Sequence, residues 1–316
     1  MEYILGVDGG GSRTTVLISD INGNPISRTV SGASSYKSTG RSEAAENLNK
    51  GIFKAIQKLK VFKGIYFVSS CFGFAGNDAG EDSRIYMEIV FNDKLKRYLN
   101  PEKTIICNDT RIGIEAGGKS KNKIIIIAGT GSNCFGVNEE GKQAGASGWD
   151  YILADEGSGY KVGLEALRAV MRAYDGRGEK TLLTKTILEK LSLKEPLDLT
   201  RWAYNGPFSK FKISELAKTV CTTARMGDKI SIDILADEAE EAAISVTTVA
   251  KKLGIENKSF DLVFVGGLFK CEKYFKNVLI NRLKEKFPQI NCISSLVDPV
   301  EGAIKLAIEN LKGQKK

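Results

Sequence analysis

The sequence predicts an α/β protein made of two domains of similar build. Apolar strand-like segments alternate with amphipathic helical segments along the 316 residues, and a glycine-rich turn between two strands occurs twice, at 8–14 and at 128–133. A chain of this length exceeds the size at which a single core usually keeps growing, which favours two packed domains over one. We expect a first domain over 1–118 and a second over 119–298 with helical insertions.

The composition indicates an ordinary globular protein. Hydrophobic residues make up 42% of the chain and charged residues 27%, which allows a sizeable core and does not indicate disorder. The N-terminal stretch 1–8 lacks the basic start and the longer apolar run of a signal peptide, and no segment approaches the length needed to cross a bilayer. We therefore predict a cytoplasmic protein.

Histidine is absent from the sequence. This excludes Ser-His-Asp and Cys-His nucleophile systems, His-ligated zinc and phosphohistidine chemistry, so acid–base work falls to carboxylates. The net charge of +8 comes from lysines spread along the chain, without aromatic residues between basic clusters, and nucleic-acid binding is not expected. The six cysteines form no CxxC pair, and we predict reduced thiols at Cys71, Cys107, Cys134, Cys221, Cys271 and Cys292.

Short apolar runs predict the strands of the first domain, and periodic apolar residues predict its helices. Asn22-Gly23 is typical of a hairpin turn between two strands. Apolar side chains between 43 and 59 recur at the spacing of one helix face. The predicted strands are 3–7, 15–19, 25–30, 66–74 and 104–107, and the predicted helices are 43–59 and 83–99.

The second domain repeats the pattern of strand, glycine turn and strand. It also carries long helical segments, of which the longest is followed by Gly254 at a helix-stop position. The predicted strands are 123–128, 133–137 and 261–265, and the predicted helices are 160–174, 182–191, 232–253 and, at the end of the chain, 300–311.

The glycine turn at 8–14 (DGGGSRT) has the features of a phosphate-binding loop. Its successive backbone N–H groups can close round an oxyanion without side chains in the way. Asp8, at the end of the preceding strand, would lie beside that phosphate, where its charge is favourable if Mg²⁺ lies between them. The alternative is a tight turn with no ligand.

A second glycine turn, at 128–133 (AGTGSN), stands at the equivalent place in the second domain. Two such loops are what a nucleotide held in a cleft between the two domains requires, with one loop on each side of its phosphates. Gly266-Gly267, after a later strand, would let the adenosine approach closely. The alternative for this pair is a packing role.

Asp109 follows a buried strand, at the end where an open α/β sheet usually carries its working residues. A carboxylate there can accept the proton of a substrate hydroxyl as that hydroxyl attacks the γ-phosphate of ATP. The alternative is a helix N-cap. Trp149 and Asp155 offer an aromatic face and a carboxylate to a polyhydroxylated ligand, although a core tryptophan and a capping aspartate are the alternatives.

The segment 113–120 (GIEAGGKS) satisfies the P-loop pattern GxxxxGK[ST]. We do not interpret it as a P-loop, because a P-loop lysine opens a helix. Here only 121–123 separate Ser120 from the apolar strand at 124–127, which leaves no room for one.

Taken together, the two glycine turns, Asp109, Gly148-Trp149, 155–160, 224–228 and Gly266-Gly267 resemble the N-acetylglucosamine kinases and the wider BadF/BadG/BcrA/BcrD ATPase family, within the actin, sugar-kinase and heat-shock ATPase superfamily. The resemblance spans nearly the whole chain. It implies two ribonuclease-H-like, actin-like ATPase domains that close on ATP and sugar in the cleft between them. It also implies that the C-terminal helix, 299–316, packs back on the first domain.

The resemblance further implies ATP-dependent transfer of phosphate to the 6-hydroxyl of an amino sugar, with Asp109 as general base. Asp8 would hold Mg²⁺. The implied nucleotide-binding residues are Asp8, Gly9, Gly10, Gly11, Ser12, Thr14, Gly129, Thr130, Gly131, Gly227, Gly266 and Gly267. The implied sugar-binding residues are Ser35, Tyr36, Asn133, Gly148, Trp149 and Asp155. We expect a homodimer without nucleic-acid or membrane partners.

Tyr36 stands where the N-acetylglucosamine kinases have a sugar-binding asparagine. Its longer side chain would reshape the pocket near the ring hydroxyls. With Lys37 beside it, we hypothesise tolerance for an anionic sugar such as N-acetylmuramic acid, whose lactyl carboxylate a lysine could meet.

Three other functions are compatible with the same superfamily. The main alternative is an ATPase activator of a coenzyme-A thioester dehydratase or reductase, which carries an iron–sulfur cluster between two subunits. A sugar-responsive repressor is not expected, because the first strand begins at residue 3 and leaves no room for a helix-turn-helix. A chaperone-like ATPase would need a peptide-binding domain, which we do not find.

Overall fold

The structure is a computed structural model that describes residues 2–59, 64–78, 80–293 and 298–313. The chain divides into two compact units. Unit 1 comprises Met1–Lys119 and Ser295–Lys316, and unit 2 comprises Ser120–Ser294.

Each unit contains one mixed β-sheet. The strands of unit 1 are β1 (Tyr3–Gly9), β2 (Thr14–Ser19), β3 (Pro25–Ser31), β4 (Phe67–Phe74) and β5 (Thr104–Asn108). The strands of unit 2 are β6 (Lys123–Ala128), β7 (Ser132–Val137), β8 (Gln143–Ala146), β9 (Phe260–Val265) and β10 (Ile290–Ile293).

The helices of unit 1 are α1 (Tyr36–Thr39), α2 (Arg41–Lys58), α3 (Gly80–Val90), α4 (Asp109–Gly117) and, at the end of the chain, α13 (Pro299–Leu311). The helices of unit 2 are α5 (Asp150–Leu153), α6 (Gly159–Tyr174), α7 (Leu183–Leu191), α8 (Asp198–Tyr204), α9 (Lys210–Ser214), α10 (Leu216–Arg225), α11 (Lys229–Leu253) and α12 (Asn277–Lys286). None of the helices in these described ranges combines the length and the apolar character that crossing a bilayer needs.

The two sheets share one topology. Their strand orders are β3-β2-β1-β4-β5 and β10-β9-β6-β7-β8, so β6 corresponds to β1 and β9 to β4. In each sheet the first three strands of the unit are antiparallel neighbours, and the last two are parallel to the first. The expectation of an α/β fold with two similar sheets is therefore confirmed.

The strands β1, β2 and β4 of unit 1 are buried on both faces of the sheet, because helices pack against each face. Leu5 and Val7 of β1 join a core under α2 and α3, whereas Ile4 points into a second core with α4 and α13. Gly6 allows close packing on that second face, since a Cβ there would lie 3.0 Å from both Ile304 and the Val300 carbonyl. Helix α13 thus packs directly on the first strand.

Unit 2 has one large core, and a disulfide lies within it. Helices α6, α10 and α11 bury their apolar faces together against the sheet. Cys221 of α10 and Cys271 are bonded, with their Cα atoms 5.9 Å apart. The expectation of reduced thiols is therefore wrong for this pair. The two cysteines are 50 residues apart in the chain, so their spacing did not predict the bond. The packing of α10 brings them together.

Most predicted elements are confirmed within a few residues, and the largest error concerns α3. The helix predicted over 83–99 ends at Val90. Asn92 stops it, because its side-chain oxygen accepts the Lys94 N–H at 2.9 Å and its amide donates to the Ile89 carbonyl at 2.7 Å. The elements that the sequence did not predict are the strands β8 and β10 and the helices α1, α4, α5, α8, α9, α10 and α12.

The P-loop pattern at 113–120 is not a P-loop. Its first five residues close α4, and the chain then runs to β6 at Lys123 without a helix after Lys119. The rejection of this motif is confirmed.

Candidate active site

The first glycine loop (residues 9–13) connects β1 and β2 in unit 1. The Gly10 N–H donates to the Arg13 carbonyl at 2.9 Å and closes the turn. Gly9 must be glycine, since a Cβ would lie 2.4 Å from the Phe74 ring and 2.5 Å from Ser34 Oγ. Ser12 is exposed at the tip of the loop.

Thr14 lies inside the fold rather than on the exposed face of the loop. Its side chain is fully buried, and its Oγ1 lies 2.7 Å from both the Gly32 carbonyl and Ser34 Oγ. The hydroxyl therefore anchors the loop to the segment after β3, and its contribution to a nucleotide would be indirect.

Three carboxylates of unit 1 influence one another beside this loop. Burial, followed by the charges of Asp109 and Asp298, raises the pKa of Asp8 to about 7, although Arg13 and Arg28 lower it. Asp298 is ion-paired with Arg28. Mg²⁺ commonly binds through one or two carboxylates and the phosphates of its substrate. The donor set at Asp8 therefore fits Mg²⁺.

Asp109 is the first residue of α4, and its neighbour Asn108 is the N-cap. Asn108 Oδ1 accepts the Thr110 N–H at 2.8 Å, which leaves the Asp109 carboxyl without the capping role considered as the alternative. Burial, followed by the charge of Asp78, raises the pKa of Asp109 to about 6, although the backbone N–H of Thr110 lowers it. A carboxylate with this pKa is well matched to general-base catalysis near neutral pH.

A polar network connects α1 to the start of α4. Tyr36 donates to Asp82 Oδ1 at 2.5 Å, and Lys37 Nζ lies 3.1 Å from the same oxygen and 3.3 Å from Asp78 Oδ2. Asp78 in turn accepts from the Asn108 side-chain amide at 2.8 Å. The hydroxyl of Tyr36 and the ammonium of Lys37 are thus both engaged by carboxylates of the protein itself.

Ser35 also has an internal partner. It is 3% exposed, and its hydroxyl donates to the Ala75 carbonyl at 2.9 Å. The structure therefore brings Ser35 and Tyr36 to the Asp109 edge of the sheet, but with their hydroxyl groups already hydrogen-bonded.

The second glycine loop (residues 129–131) lies in unit 2 at the N-terminus of α6. The Gly159 and Tyr160 N–H groups donate to the carbonyls of Gly129 and Thr130 at 2.8 and 3.2 Å. Thr130 itself is exposed. The loop is thus fixed by a helix N-terminus, whose positive end favours an anion nearby.

Gly266 packs against this loop, which brings two of the predicted nucleotide segments together. A Cβ on Gly266 would lie 2.2 Å from the Ala128 carbonyl oxygen, and its φ of +121° also favours glycine. Gly267 has no heavy atom within 4 Å of its Cβ position, so it is open to a ligand. Gly227 ends the turn after α10 with φ of +89°, and the Cys221–Cys271 disulfide ties α10 to the segment after Gly267.

The predicted sugar contacts of unit 2 also lie together. A Cβ on Gly148 would lie 2.9 Å from the Asn133 side chain. Ser147 and Asp150, on either side of Gly148-Trp149, have φ of 64° and 68°, which is rare for residues other than glycine and is typical of functional sites. The Trp149 side chain is 66% exposed and therefore available to a ligand rather than part of the core.

Asp155 is a buried carboxylate beside the second glycine loop. It is 2% exposed, accepts the Ser132 N–H at 2.9 Å and is ion-paired with Lys210. It does not cap α6, since Ser158 is the N-cap of that helix. The capping alternative is therefore wrong for Asp155.

Sequence analysis missed two residues that hold this part of unit 2, Lys210 and Glu238. Glu238, in the middle of α11, is 5% exposed and accepts the Gly157 N–H at 2.6 Å. Burial raises its pKa to about 7, although the Gly157 N–H and Lys161 lower it. A charged residue on the apolar face of a helix could have indicated that Glu238 is buried with a partner. The sequence could not identify that partner, because Gly157 lies 81 residues away in the chain.

We expect the Glu238→Gln variant to lose a pH dependence of stability. A carboxyl whose pKa rises from 4.5 to about 7 on folding stabilises the fold fully below pH 4.5 and loses that contribution as the pH rises through 7. The free energy of unfolding of the wild type, relative to the variant, should fall by about 3 kcal/mol over that interval. Urea unfolding between pH 4.5 and 8 measures it. The exposed Glu256→Gln is the control, and parallel curves for wild type and Glu238→Gln would contradict the assignment.

Solved structures share this fold. A candidate N-acetylglucosamine kinase of Chromobacterium violaceum superposes with a TM-score of 0.76 at 22% identity, covering 97% of this chain and 99% of its own. A ROK family glucokinase of Streptomyces griseus, solved with glucose and AMPPNP, gives a TM-score of 0.56 at 13% identity over 96% and 98% of the two chains. The repeated sheet with a glycine loop after its first strand is thus the fold that these two solved structures share with this chain.

The chain belongs to the BadF/BadG/BcrA/BcrD ATPase family, which matches residues 5–307. It is 34% identical to the N-acetylmuramic acid/N-acetylglucosamine kinase of Clostridium acetobutylicum, over 97% of this chain and 98% of that protein. It is 33% identical to the N-acetyl-D-glucosamine kinase of Dictyostelium discoideum, over 98% and 99% of the two chains. The family resemblance found in the sequence is confirmed.

Proposed function

We propose that this protein is an ATP-dependent kinase that transfers the γ-phosphate to the 6-hydroxyl of N-acetylglucosamine or a related amino sugar. The observation that carries the proposal is Asp109. Its pKa is raised to about 6, it lies at the carboxyl end of β5, and it is not used as a cap. The near full-length similarity to two amino-sugar kinases supports the same activity.

In the proposed reaction Asp109 accepts the proton of the sugar hydroxyl while the hydroxyl oxygen attacks the γ-phosphorus. A P–O bond to the sugar forms, the bond to the β-phosphate oxygen breaks, and ADP leaves with its charge. Asp8 would hold Mg²⁺, which when bound would neutralise part of the negative charge of the phosphates. The neighbouring carboxylates then become more easily ionised, because the cation offsets their mutual repulsion.

The proposed nucleotide contacts come from backbone groups more than from side chains. In unit 1 they are the N–H groups of the first glycine loop and Ser12; in unit 2 they are the second glycine loop with Thr130. Gly227, Gly266 and Gly267 would meet the adenosine side, where the absence of a side chain leaves room for the nucleotide.

The proposed sugar contacts are Asp109 in unit 1 and Asn133, Gly148, Trp149 and Asp155 in unit 2. Tyr36 and Lys37 would shape the pocket rather than bind through free polar groups, because Asp82 engages both of them and Asp78 also engages Lys37. If Lys37 binds the carboxylate of N-acetylmuramic acid, as hypothesised, its ammonium group must leave Asp78 or Asp82 and pair with the substrate carboxylate instead.

The alternative of an ATPase activator is not favoured, since the curated relatives that match nearly the whole chain are sugar kinases. Among the described residues no three or more cysteine, aspartate or glutamate side chains are grouped to hold a metal. A homodimer and a cytoplasmic location remain part of the proposal.

Sugar-dependent turnover tests the proposed function. We expect ADP release that requires ATP and Mg²⁺ and is stimulated by N-acetylglucosamine, with a product heavier by one phosphoryl group. Glucosamine, N-acetylmannosamine, N-acetylmuramic acid and glucose complete the panel, and the position of the phosphate is read by NMR. Turnover that ignores every sugar would contradict the proposal and would direct the search to iron and a partner enzyme.

A further inference from the structure

Lys210, the first residue of α9, places its ammonium group between two carboxylates of unit 2. Its Nζ lies 2.6 Å from Asp150 Oδ1 and also contacts Asp155 Oδ2. Asp155 is 2% exposed, whereas the Asp150 side chain is 67% exposed. A buried carboxylate that loses its partner is much more costly than an exposed one. The contact with Asp155 is therefore the important one.

The Lys210–Asp155 pair lies against the second glycine loop. A Cβ on Gly131 would lie 2.9 Å from both Asp155 Oδ1 and Lys210 Nζ. Gly131 does not belong to the glycines with positive φ. A side chain at this position would therefore displace the ion pair, whereas the backbone conformation itself does not favour glycine.

Aromatic packing fixes the segment that carries Lys210. The ring of Phe208 stacks on Tyr151 with centroids 4.5 Å apart, and it meets the edge of Tyr160 at 6.2 Å. Ser209 then caps α9, because its hydroxyl accepts the Lys212 N–H at 3.2 Å. Lys210 is thus held by its neighbours in the chain and not only by the carboxylates it contacts.

We propose that Lys210 is a positioning residue: it holds the Asp155 carboxylate in one orientation beside the second glycine loop, ready to accept a hydrogen bond from the sugar. The inference rests on the proposed function, since it takes Asp155 as a sugar contact. With Oδ1 on the Ser132 N–H and Oδ2 on the Lys210 ammonium, the carboxylate cannot rotate. Its remaining lone pairs then point in fixed directions, which is the requirement for an efficient binding group.

The Lys210→Met variant tests this role, because Met keeps the length of the side chain and removes its charge. We expect kcat/KM for the sugar to fall roughly 10- to 100-fold, chiefly through KM for the sugar, with KM for ATP unchanged. Lys210→Arg should restore most of the loss. Lys212→Met is the matched control, since it makes the same substitution at an exposed lysine of the same helix and should change sugar turnover little.

A double-mutant cycle in urea tests the ion pair without catalysis. We expect Lys210→Met to lower the unfolding midpoint in the wild-type background and to lower it much less in an Asp155→Asn background. Equal losses in both backgrounds would overturn the proposal, as would a Lys210→Met defect in KM for ATP alone or an Arg variant no better than Met. A wild type that phosphorylates no amino sugar would contradict the proposed function instead, and the cycle would still report whether Lys210 holds Asp155.

Discussion

Asp109→Asn should abolish phosphoryl transfer while nucleotide binding persists. Asparagine keeps the size of the side chain but cannot accept the hydroxyl proton, and loss of a general base typically costs roughly 10²- to 10⁴-fold in turnover. Because burial raises the pKa of Asp109 to about 6, the variant also removes a buried charge, and its folding stability should not decrease. Mass detection of phosphorylated sugar and calorimetric titration with a non-hydrolysable ATP analogue measure the two properties.

The same assignment predicts the acid limb of the pH profile. Asp109 must be ionised to accept a proton, so wild-type turnover should fall as the pH decreases to about 6 and below, because Mg²⁺ at Asp8 lowers the pKa of the neighbouring carboxylates. Asp93→Asn is the matched control, because this carboxylate of unit 1 is 94% exposed and pairs with Lys96, which is nearby in the chain. Loss of nucleotide binding in Asp109→Asn would indicate a structural role, and full turnover would exclude Asp109 as the base.

Gly302→Ala should lower the free energy of unfolding more than glycine-to-alanine changes elsewhere in unit 1. A Cβ at this position of α13 would lie 1.8 Å from the Ile112 carbonyl oxygen and 2.7 Å from the Ala116 nitrogen, both in the backbone of α4. A backbone cannot move aside as a flexible side chain can, so the two helices must separate, at a cost of about 3 kcal/mol or more. Thermal and urea unfolding measure the loss.

The activity of Gly302→Ala should decrease as well, because α4 begins at Asp109 and its position depends on α13. Lys305 Nζ of α13 reinforces this packing by donating to the Glu115 and Ala116 carbonyls at 3.2 Å each. Gly80→Ala provides the control: this helical glycine has no heavy atom within 4 Å of its Cβ position and should tolerate a methyl group within about 0.5 kcal/mol. Equal unfolding midpoints for the two variants would show that α13 and α4 are not packed this closely.

The candidate site was predictable where its chemistry is local in the chain. Asp8 and Asp109 each follow a strand whose apolar run is visible in the sequence, and a glycine turn between two strands is itself a phosphate-loop signal. The structure keeps both carboxylates at strand ends and raises their pKa values. Thr14 shows the limit of such reasoning, since its place in the motif did not reveal that its hydroxyl is buried against Gly32 and Ser34.

Elements were predicted well where periodicity alone decides them. The segment at 43–59 forms α2, and that at 160–174 forms α6, because one apolar stripe at helical spacing can be buried in only one way. The end of α3 was not predicted, because the side chain of Asn92 competes for the backbone groups that would have continued the helix.

The sequence by itself determined the fold class, the two glycine loops, the place of Asp109 after a buried strand and the family, because each depends on residues that are close in the chain or on a pattern that repeats. Only the tertiary structure decided which distant side chains meet. Three such pairs are brought together by the packing of helices on a sheet: Lys210 with Asp155, Glu238 with Gly157, and Cys221 with Cys271. The two cysteines are 50 residues apart in the chain, and the other two pairs are further apart. The spacing of apolar residues in the chain indicates which face of a helix or strand is buried. It does not indicate which residues of two different elements come into contact.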